Sequence, residues 1–160
     1  TLSSSSAASD VYKRQGQEVA LSLSDAFCVD RHREGFKRLI AEGVDILFAN
    51  ETEICSLYEV NSFEDAATRA ALDVKIAVLT RSEQGSLIVR GKESVLIPAE
   101  EVALVDSTGA GDAYAAGFLT AYTRGEGLEA AGKLGTKAAA LAIARIGARP
   151  PAHELRALVG

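Results

Sequence analysis

The residues best suited to chemistry lie in the segment DSTGAGD, which ends at Asp112 and precedes a predicted helix. Gly109 and Gly111 fall in the first predicted helical turn, where each glycine costs about 1 kcal/mol relative to alanine. A helix N-terminus offers unpaired amides and a partial positive charge, which suit a phosphate, and Asp112 could serve beside them as a base for a hydroxyl. The same spacing fits an ordinary capped helix, with Ser107 or Thr108 as N-cap.

Two further polar segments follow predicted strands. The segment NETE begins at Asn50, and Asn50 with Glu53 has the spacing of a capping box at a helix start. The segment Thr80–Ser86 (TRSEQGS) follows a buried-type strand, and Gly85 supplies the tight bend of a turn. From the residues alone, secondary structure accounts for both segments.

Hydrophobic spacing predicts alternating strands and helices from Gln17 onward. The predicted strands are Glu18–Ser24, Asp45–Ala49, Lys75–Thr80, Ser86–Arg90 and Ser94–Pro98. The predicted helices lie over Asp30–Glu42 and begin near Glu51, Ser62, Gly109, Leu128 and Pro151. Alternation indicates an α/β fold with a mostly parallel sheet covered on both faces, to which the last two strands add an antiparallel pair.

Composition limits the classes of function. The 160 residues carry a formal net charge of -5, so nothing indicates a nucleic-acid or membrane partner. No apolar run reaches the roughly 20 residues of a membrane span. Cys28 and Cys55 form no C-x-x-C pair, which favours a reducing, cytoplasmic compartment. We expect residues 1–15, with their serine run, to be a non-native or disordered leader, and residues 16–160 to form one truncated domain.

The longer segment DSTGAGDAYAAGF resembles the second signature of the PfkB (ribokinase-like) family of small-molecule kinases, D-T-T-G-A-G-D-x-F-x-A-G-F. Its departures are Ser107 for threonine and Tyr114 for phenylalanine. The stretches LSLSDAFCVDRHREGF, ILFANETEI and LTRSEQGS are most similar to the bacterial adenosine kinase-like branch. The resemblance implies the ribokinase fold, a Rossmann-like three-layer α/β sheet, here truncated at its N-terminus to the C-terminal ATP-binding half.

The resemblance also implies roles for the glycine-rich segment. Gly109, Ala110 and Gly111 would form an anion hole for the transferred phosphate. Asp112 would take the proton from the acceptor hydroxyl, and Thr108 would lie on the nucleotide side of the same turn.

Metal and nucleotide contacts are implied at the two strand ends. Asn50 and Glu53 match an N-x-x-E motif that organises Mg²⁺ and phosphate through water. Thr80 and Gly85 match a T-x-G-x-x-G motif for nucleotide phosphate and ribose, with Ser82 in place of the middle glycine.

Three residues nearer the C-terminus complete the implied ATP site. Thr136 lies where some relatives carry an asparagine at the adenine. Asp106 is expected on the nucleotide side, and with the carbonyls around Gly147 it would form a site for a monovalent cation such as K⁺.

The function implied by the resemblance is ATP- and Mg²⁺-dependent phosphorylation of a hydroxyl on an adenosine-like nucleoside or a sugar. The alternatives are a sugar kinase of the ribokinase or fructokinase type and, in another class, a catalytically silent nucleotide-binding module. Because the family's acceptor-binding half lies upstream of the matched region, we expect the fragment alone to be inactive. The resemblance admits a homodimer of the full-length protein.

Overall fold

The computed structural model describes residues 16–147 and 149–160. The leader predicted for residues 1–15 lies outside this described part. The chain divides into two compact units. The first runs to Thr80 and includes Val89–Ser94, and the second consists of Arg81–Ile88 and Val95–Gly160.

The first unit contains three parallel strands and the helices between them. Its elements are β1 (Ala20–Ser22), α1 (Ala26–Gly43), β2 (Ile46–Asn50), α2 (Glu51–Tyr58), α3 (Phe63–Asp73) and β3 (Ile76–Thr80). In register, β1 pairs Ala20 with Ile46, and β2 pairs Asn50 with Thr80. Asn50 and Thr80, both predicted site residues, thereby lie side by side at the carboxyl ends of neighbouring strands.

The sequence explains why these strands are central. Four consecutive residues of β2 and four of β3 are buried apolar side chains, which is typical of parallel strands covered on both faces. The helices begin at side-chain caps. Asp25 accepts a hydrogen bond from the Phe27 amide at the start of α1, and Ser62 accepts one from the Asp65 amide at the start of α3.

The second unit is built around two helices that pack closely. Its elements are a 3-10 turn (Ser82–Gln84), β4 (Ser86–Arg90), β5 (Glu93–Ile97), α4 (Ala110–Thr123), α5 (Leu128–Ile143) and α6 (Ala152–Ala157), of which β4 and β5 extend into Val89–Ser94. A Cβ at Gly117 of α4 would lie 2.6 Å from the Leu134 carbonyl oxygen of α5. Alanine is therefore already too large at this crossing of the helices.

The five strands form one mixed sheet in the order β1-β2-β3-β4-β5, which confirms the predicted α/β class. Two predicted elements have boundaries that were wrong by two residues or more. The first strand is three residues long instead of Glu18–Ser24, and α1 starts at Ala26 instead of Asp30 because Asp25 caps it. Across residues 16–147 and 149–160, no helix is both long and apolar enough to cross a membrane.

Candidate functional site

The glycine-rich segment starts α4 in a way that the sequence did not predict. Neither Ser107 nor Thr108 caps the helix, so the alternative of an ordinary helix with a side-chain cap does not hold. Gly109 is the N-cap, at φ 79°, a left-handed conformation that favours glycine. The carboxylate of Asp106 accepts a hydrogen bond from the Thr108 amide at 2.9 Å, which holds the chain in this turn.

The first turn of α4 leaves amide donors unused. The Ala110 amide donates to the Ser107 carbonyl at 3.2 Å, and Ala113 donates to the Gly109 carbonyl at 2.9 Å. Among the described residues, the amides of Gly111 and Asp112 meet no acceptor, as is usual for the first amides of a helix without a side-chain cap. Two donors at the positive end of the helix dipole are thus available to an anion.

Neither packing within the described chain nor backbone conformation requires glycine at position 111. A Cβ built on it meets nothing within 4 Å, and its φ is not positive. Gly117, six residues further along α4, is required by the close approach of α5. Glycine at position 111 therefore costs helix stability without serving the packing of this chain, which is expected where a ligand must approach the backbone.

Asp112 lies in the same turn and is exposed. Within the described residues its carboxylate takes part in no hydrogen bond or ion pair. A free carboxylate next to free amides combines an anion-binding surface with a proton acceptor, as the predicted base role requires.

Asp106 joins two loops of the second unit. Besides the Thr108 amide, its carboxylate accepts a hydrogen bond from the Gly147 amide at 3.1 Å. The hydroxyl and amide of Thr108, followed by the Gly147 amide, lower the pKa of Asp106 below its ordinary value. The structure thus brings together the two segments predicted to form the cation site.

The loop between Arg81 and Gly85 is a tight turn in the second unit. The Arg81 amide donates to the Gly85 carbonyl at 2.8 Å, and the Gly85 amide donates to the Ser82 carbonyl at 3.1 Å. Ser82 has φ 49°, so it keeps a glycine-like backbone where the family motif has glycine. Gly85, at φ 83°, has no room for a side chain, because a Cβ would lie 2.0 Å from the Ile97 carbonyl oxygen.

The second unit also contains a group of buried hydroxyls, one of which belongs to Ser86, the residue that follows this loop. Ser86 Oγ and Tyr114 Oη are 2.6 Å apart, and the two residues are 1% and 4% exposed. Thr136 is 9% exposed, and its hydroxyl makes no hydrogen bond of ordinary geometry within the described residues. Sequence reasoning missed Ser86, although the tyrosine at a phenylalanine position of the motif was a signal that a buried hydroxyl needs a partner.

The predicted metal motif in the first unit forms a complete capping box. Asn50 Oδ1 accepts from the Glu53 amide at 2.8 Å, and one Glu53 carboxylate oxygen accepts from the Asn50 amide at 2.9 Å. The other carboxylate oxygen accepts from Asn50 Nδ2 at 2.8 Å. The register of β2 and β3 places Thr80 beside Asn50, so these predicted site residues come together.

The Glu53 side chain is 6% exposed. Burial raises the pKa of this carboxyl above its ordinary value, the hydrogen bond from the Asn50 amide opposes the rise, and the negative charge of Asp25 adds to it. A buried carboxylate with a raised pKa favours a neighbouring cation. Among the described residues, no group of three or more His, Cys, Asp or Glu side chains could hold a metal ion.

Comparison with known proteins shows the family to which the chain belongs. Residues 3–155 match the model of the pfkB family of carbohydrate kinases, and the chain belongs to that family. It is similar to the adenosine kinase of Sinorhizobium meliloti (46% identity, TM-score 0.91) and to a probable sugar kinase of Rhizobium etli CFN 42 (45%, 0.91). Each comparison covers 95% of this chain and 47% of the other.

A curated relative with a different acceptor is also similar. The cytidine kinase of Thermococcus kodakarensis is 37% identical over 110 residues, which cover 67% of this chain and 40% of the relative. The chain therefore spans less than half of the length of each of these three relatives.

Proposed function

We propose that this chain supplies the ATP-binding surface and the catalytic base of a kinase that phosphorylates a hydroxyl of an adenosine-like nucleoside. The observation that carries the proposal is the first turn of α4, where two amides and a carboxylate that have no partner among the described residues occur together. Membership of the pfkB family supports the reaction class.

In this proposal the start of α4 binds the transferred phosphoryl group. The amides of Gly111 and Asp112, with Gly109 and Ala110 shaping the turn, stabilise negative charge on the phosphoryl oxygens. Asp112 accepts the proton of the acceptor hydroxyl while the oxygen of that hydroxyl forms a bond to the γ-phosphorus. The bond from that phosphorus to the β,γ-bridging oxygen breaks, and ADP leaves. Phosphoryl transfer needs chiefly positioning and charge stabilisation, so these groups suffice.

The residues around Glu53 fit a hydrated Mg²⁺. Each Glu53 carboxylate oxygen accepts one hydrogen bond from Asn50, which leaves each one a further acceptor position for a metal-bound water. Mg²⁺, when bound, would neutralise phosphate charge. Glu53 and Asn50 would orient its waters, and the ion would offset the burial that raises the pKa of Glu53.

The remaining predicted contacts belong to the nucleotide. Thr80, Ser82 and Gly85 are proposed to contact the phosphates and the ribose. Thr136, whose buried hydroxyl makes no hydrogen bond of ordinary geometry within the described residues, is proposed for the adenine end. Asp106 and Thr108 complete this side, and the Asp106–Gly147 contact supports a monovalent-cation site such as one for K⁺.

The choice of acceptor rests on similarity alone. The adenosine kinase and the probable sugar kinase match almost equally well, so a sugar kinase is the second candidate. The adenosine kinase and the cytidine kinase both favour a nucleoside. We also propose a cytoplasmic location, which agrees with two cysteines, Cys28 and Cys55, that form no disulfide with each other. A homodimer of the full-length protein stays a prediction.

The test uses the full-length protein that contains this chain. Purified protein is incubated with Mg²⁺ and γ-labelled ATP, separately with adenosine, cytidine, ribose and fructose. We expect labelled nucleoside monophosphate from adenosine. Robust transfer only to ribose or fructose would establish the sugar-kinase alternative. ATP binding without transfer to any acceptor would establish a silent nucleotide-binding module and refute the proposal.

A further inference from the structure

The buried hydroxyl pair of the second unit joins two segments that the proposed function uses. Ser86 directly follows Gly85, the last residue of the Arg81–Gly85 loop, and Tyr114 lies two residues after Asp112 on α4. Their oxygens are 2.6 Å apart. We propose that Tyr114, through its hydrogen bond to Ser86, is a positioning residue that fixes the start of α4 relative to the Arg81–Gly85 loop. This inference rests on the proposed function.

The ring of Tyr114 packs against the backbone of α5 at Gly135. A Cβ built on Gly135 would lie 2.9 Å from Tyr114 Cε1 and 3.1 Å from Cδ1, so the ring rests directly on the backbone of α5. Because the ring cannot shift toward α5, the place of its hydroxyl is determined by the place of α4 itself.

The loop side of the hydrogen bond is equally constrained. Gly85 approaches the carbonyl of Ile97 so closely that a Cβ would lie 2.0 Å from its oxygen. Ser86 begins β4 immediately afterwards and is 1% exposed. Both partners of the hydrogen bond are thus fixed, and a shift of one segment has to be transmitted to the other or break the bond.

The hydroxyl of Tyr114 does more than fill space. Phenylalanine, the residue of the family signature, would fill the same space and leave the Ser86 hydroxyl buried without a partner. Burial raises the pKa of Tyr114, against smaller opposing effects of the Ser86 and Thr136 hydroxyls, so the phenol keeps its proton at neutral pH. A hydrogen bond in such a dry environment is directional and costly to break.

The experiment is a double-mutant cycle in the full-length protein, with Tyr114→Phe, Ser86→Ala and the double variant. Each single variant should lower kcat about tenfold, because small misplacements of reacting groups are costly, and leave KM for the acceptor unchanged within about twofold. The double variant should lose no more than either single one, because both changes remove the same bond. If a single variant fails to fold, the double variant, with two apolar groups facing each other, supplies the comparison with the wild type.

The matched control is Tyr58→Phe. Tyr58 is a buried tyrosine of the first unit whose hydroxyl bonds to Asp73 at 2.8 Å. This variant should lower the melting temperature without changing kcat, which separates a positioning role from loss of stability.

Three kinetic outcomes would overturn the inference while the proposed function stands: a kcat of Tyr114→Phe close to wild type, losses that multiply in the double variant, or an equal loss of kcat in Tyr58→Phe. A wild-type protein that transfers phosphate to no acceptor would instead refute the proposed function, and the inference with it.

Discussion

Two helices begin at predicted site residues, and their first turns differ in what accepts the amide hydrogens. At the start of α2, Asn50 and Glu53 exchange side-chain and backbone hydrogen bonds of 2.8 and 2.9 Å. At the start of α4, Gly109 brings no side chain, and within the described residues the next free amides, of Gly111 and Asp112, have no acceptor.

Both helices have a positive N-terminal end, but only α4 has first-turn amides that are not capped by a side chain. The first turn of α2 already holds an anion of its own, the buried carboxylate of Glu53. A second anion there would meet like charge, whereas a cation would be attracted. The first turn of α4 also carries an acid, Asp112, but within the described residues its carboxylate accepts none of the free amide hydrogens. This difference supports the proposal that the start of α4 binds phosphate and that the start of α2 favours a cation.

The variant with the largest expected effect is Asp112→Asn in the full-length protein. The change removes the proposed base from the open helix start and keeps its size. We expect kcat to fall by about 10²–10⁴, the usual contribution of a general base. ATP affinity, measured by calorimetry, should survive because the amides remain.

The control for Asp112→Asn is Glu129→Gln, which removes an acid from the first turn of α5. It should leave kcat near wild type. An Asp112→Asn variant with kcat within about threefold of wild type would show that Asp112 is not the base.

The second test closes the open helix start with a methyl group. Gly111→Ala should raise the free energy of unfolding by about 0.4–1 kcal/mol, because alanine favours the helix and its Cβ meets nothing in the chain. The same methyl group would stand where the phosphate approaches, so kcat should fall about 10–100-fold. Opposite signs for stability and activity are the signature of a glycine kept for a ligand.

Gly127→Ala is the matched control. Gly127 also lies at a helix start in open surroundings, with φ -65°, but it belongs to no predicted contact. It should leave kcat unchanged. If Gly111→Ala stabilises the protein and keeps full activity, the start of α4 does not bind the transferred group.

The same contrast shows how far the sequence could predict the structure. The Asn50–Glu53 capping box follows from a local spacing of three residues, and the alternation of strands and helices follows from hydrophobic period, so both were predicted. The Gly109 cap depends on Asp106 holding the preceding turn, and the Ser86–Tyr114 bond joins residues 28 positions apart. Such contacts require the tertiary fold. The catalytic, nucleotide and metal roles of the individual residues remain predictions.

The smallest expected effect is at the closed helix start, with Glu53→Gln. Glutamine can keep one hydrogen bond of the capping box, but it carries no negative charge. The Mg²⁺ concentration for half-maximal activity should therefore rise about tenfold, which is typical when a group that orients metal ligands is removed. Glu51→Gln, in the same turn and outside the capping box, should leave the Mg²⁺ curve in place. If Glu53→Gln lowers stability while the Mg²⁺ curve stays unchanged, the motif is a cap and nothing more.

The pH dependence of stability tests the buried carboxylate independently of activity. Burial raises the pKa of Glu53 in the fold above its unfolded value. The stability that this carboxyl contributes is therefore complete below its unfolded pKa and is lost as the pH rises through the folded pKa. Glutamine does not titrate. The melting temperature of Glu53→Gln minus that of the wild type should therefore increase as the pH is raised from about 4 to about 7. Parallel melts without Mg²⁺ measure this difference, and a constant offset across the range would mean that Glu53 is not held in a desolvated site.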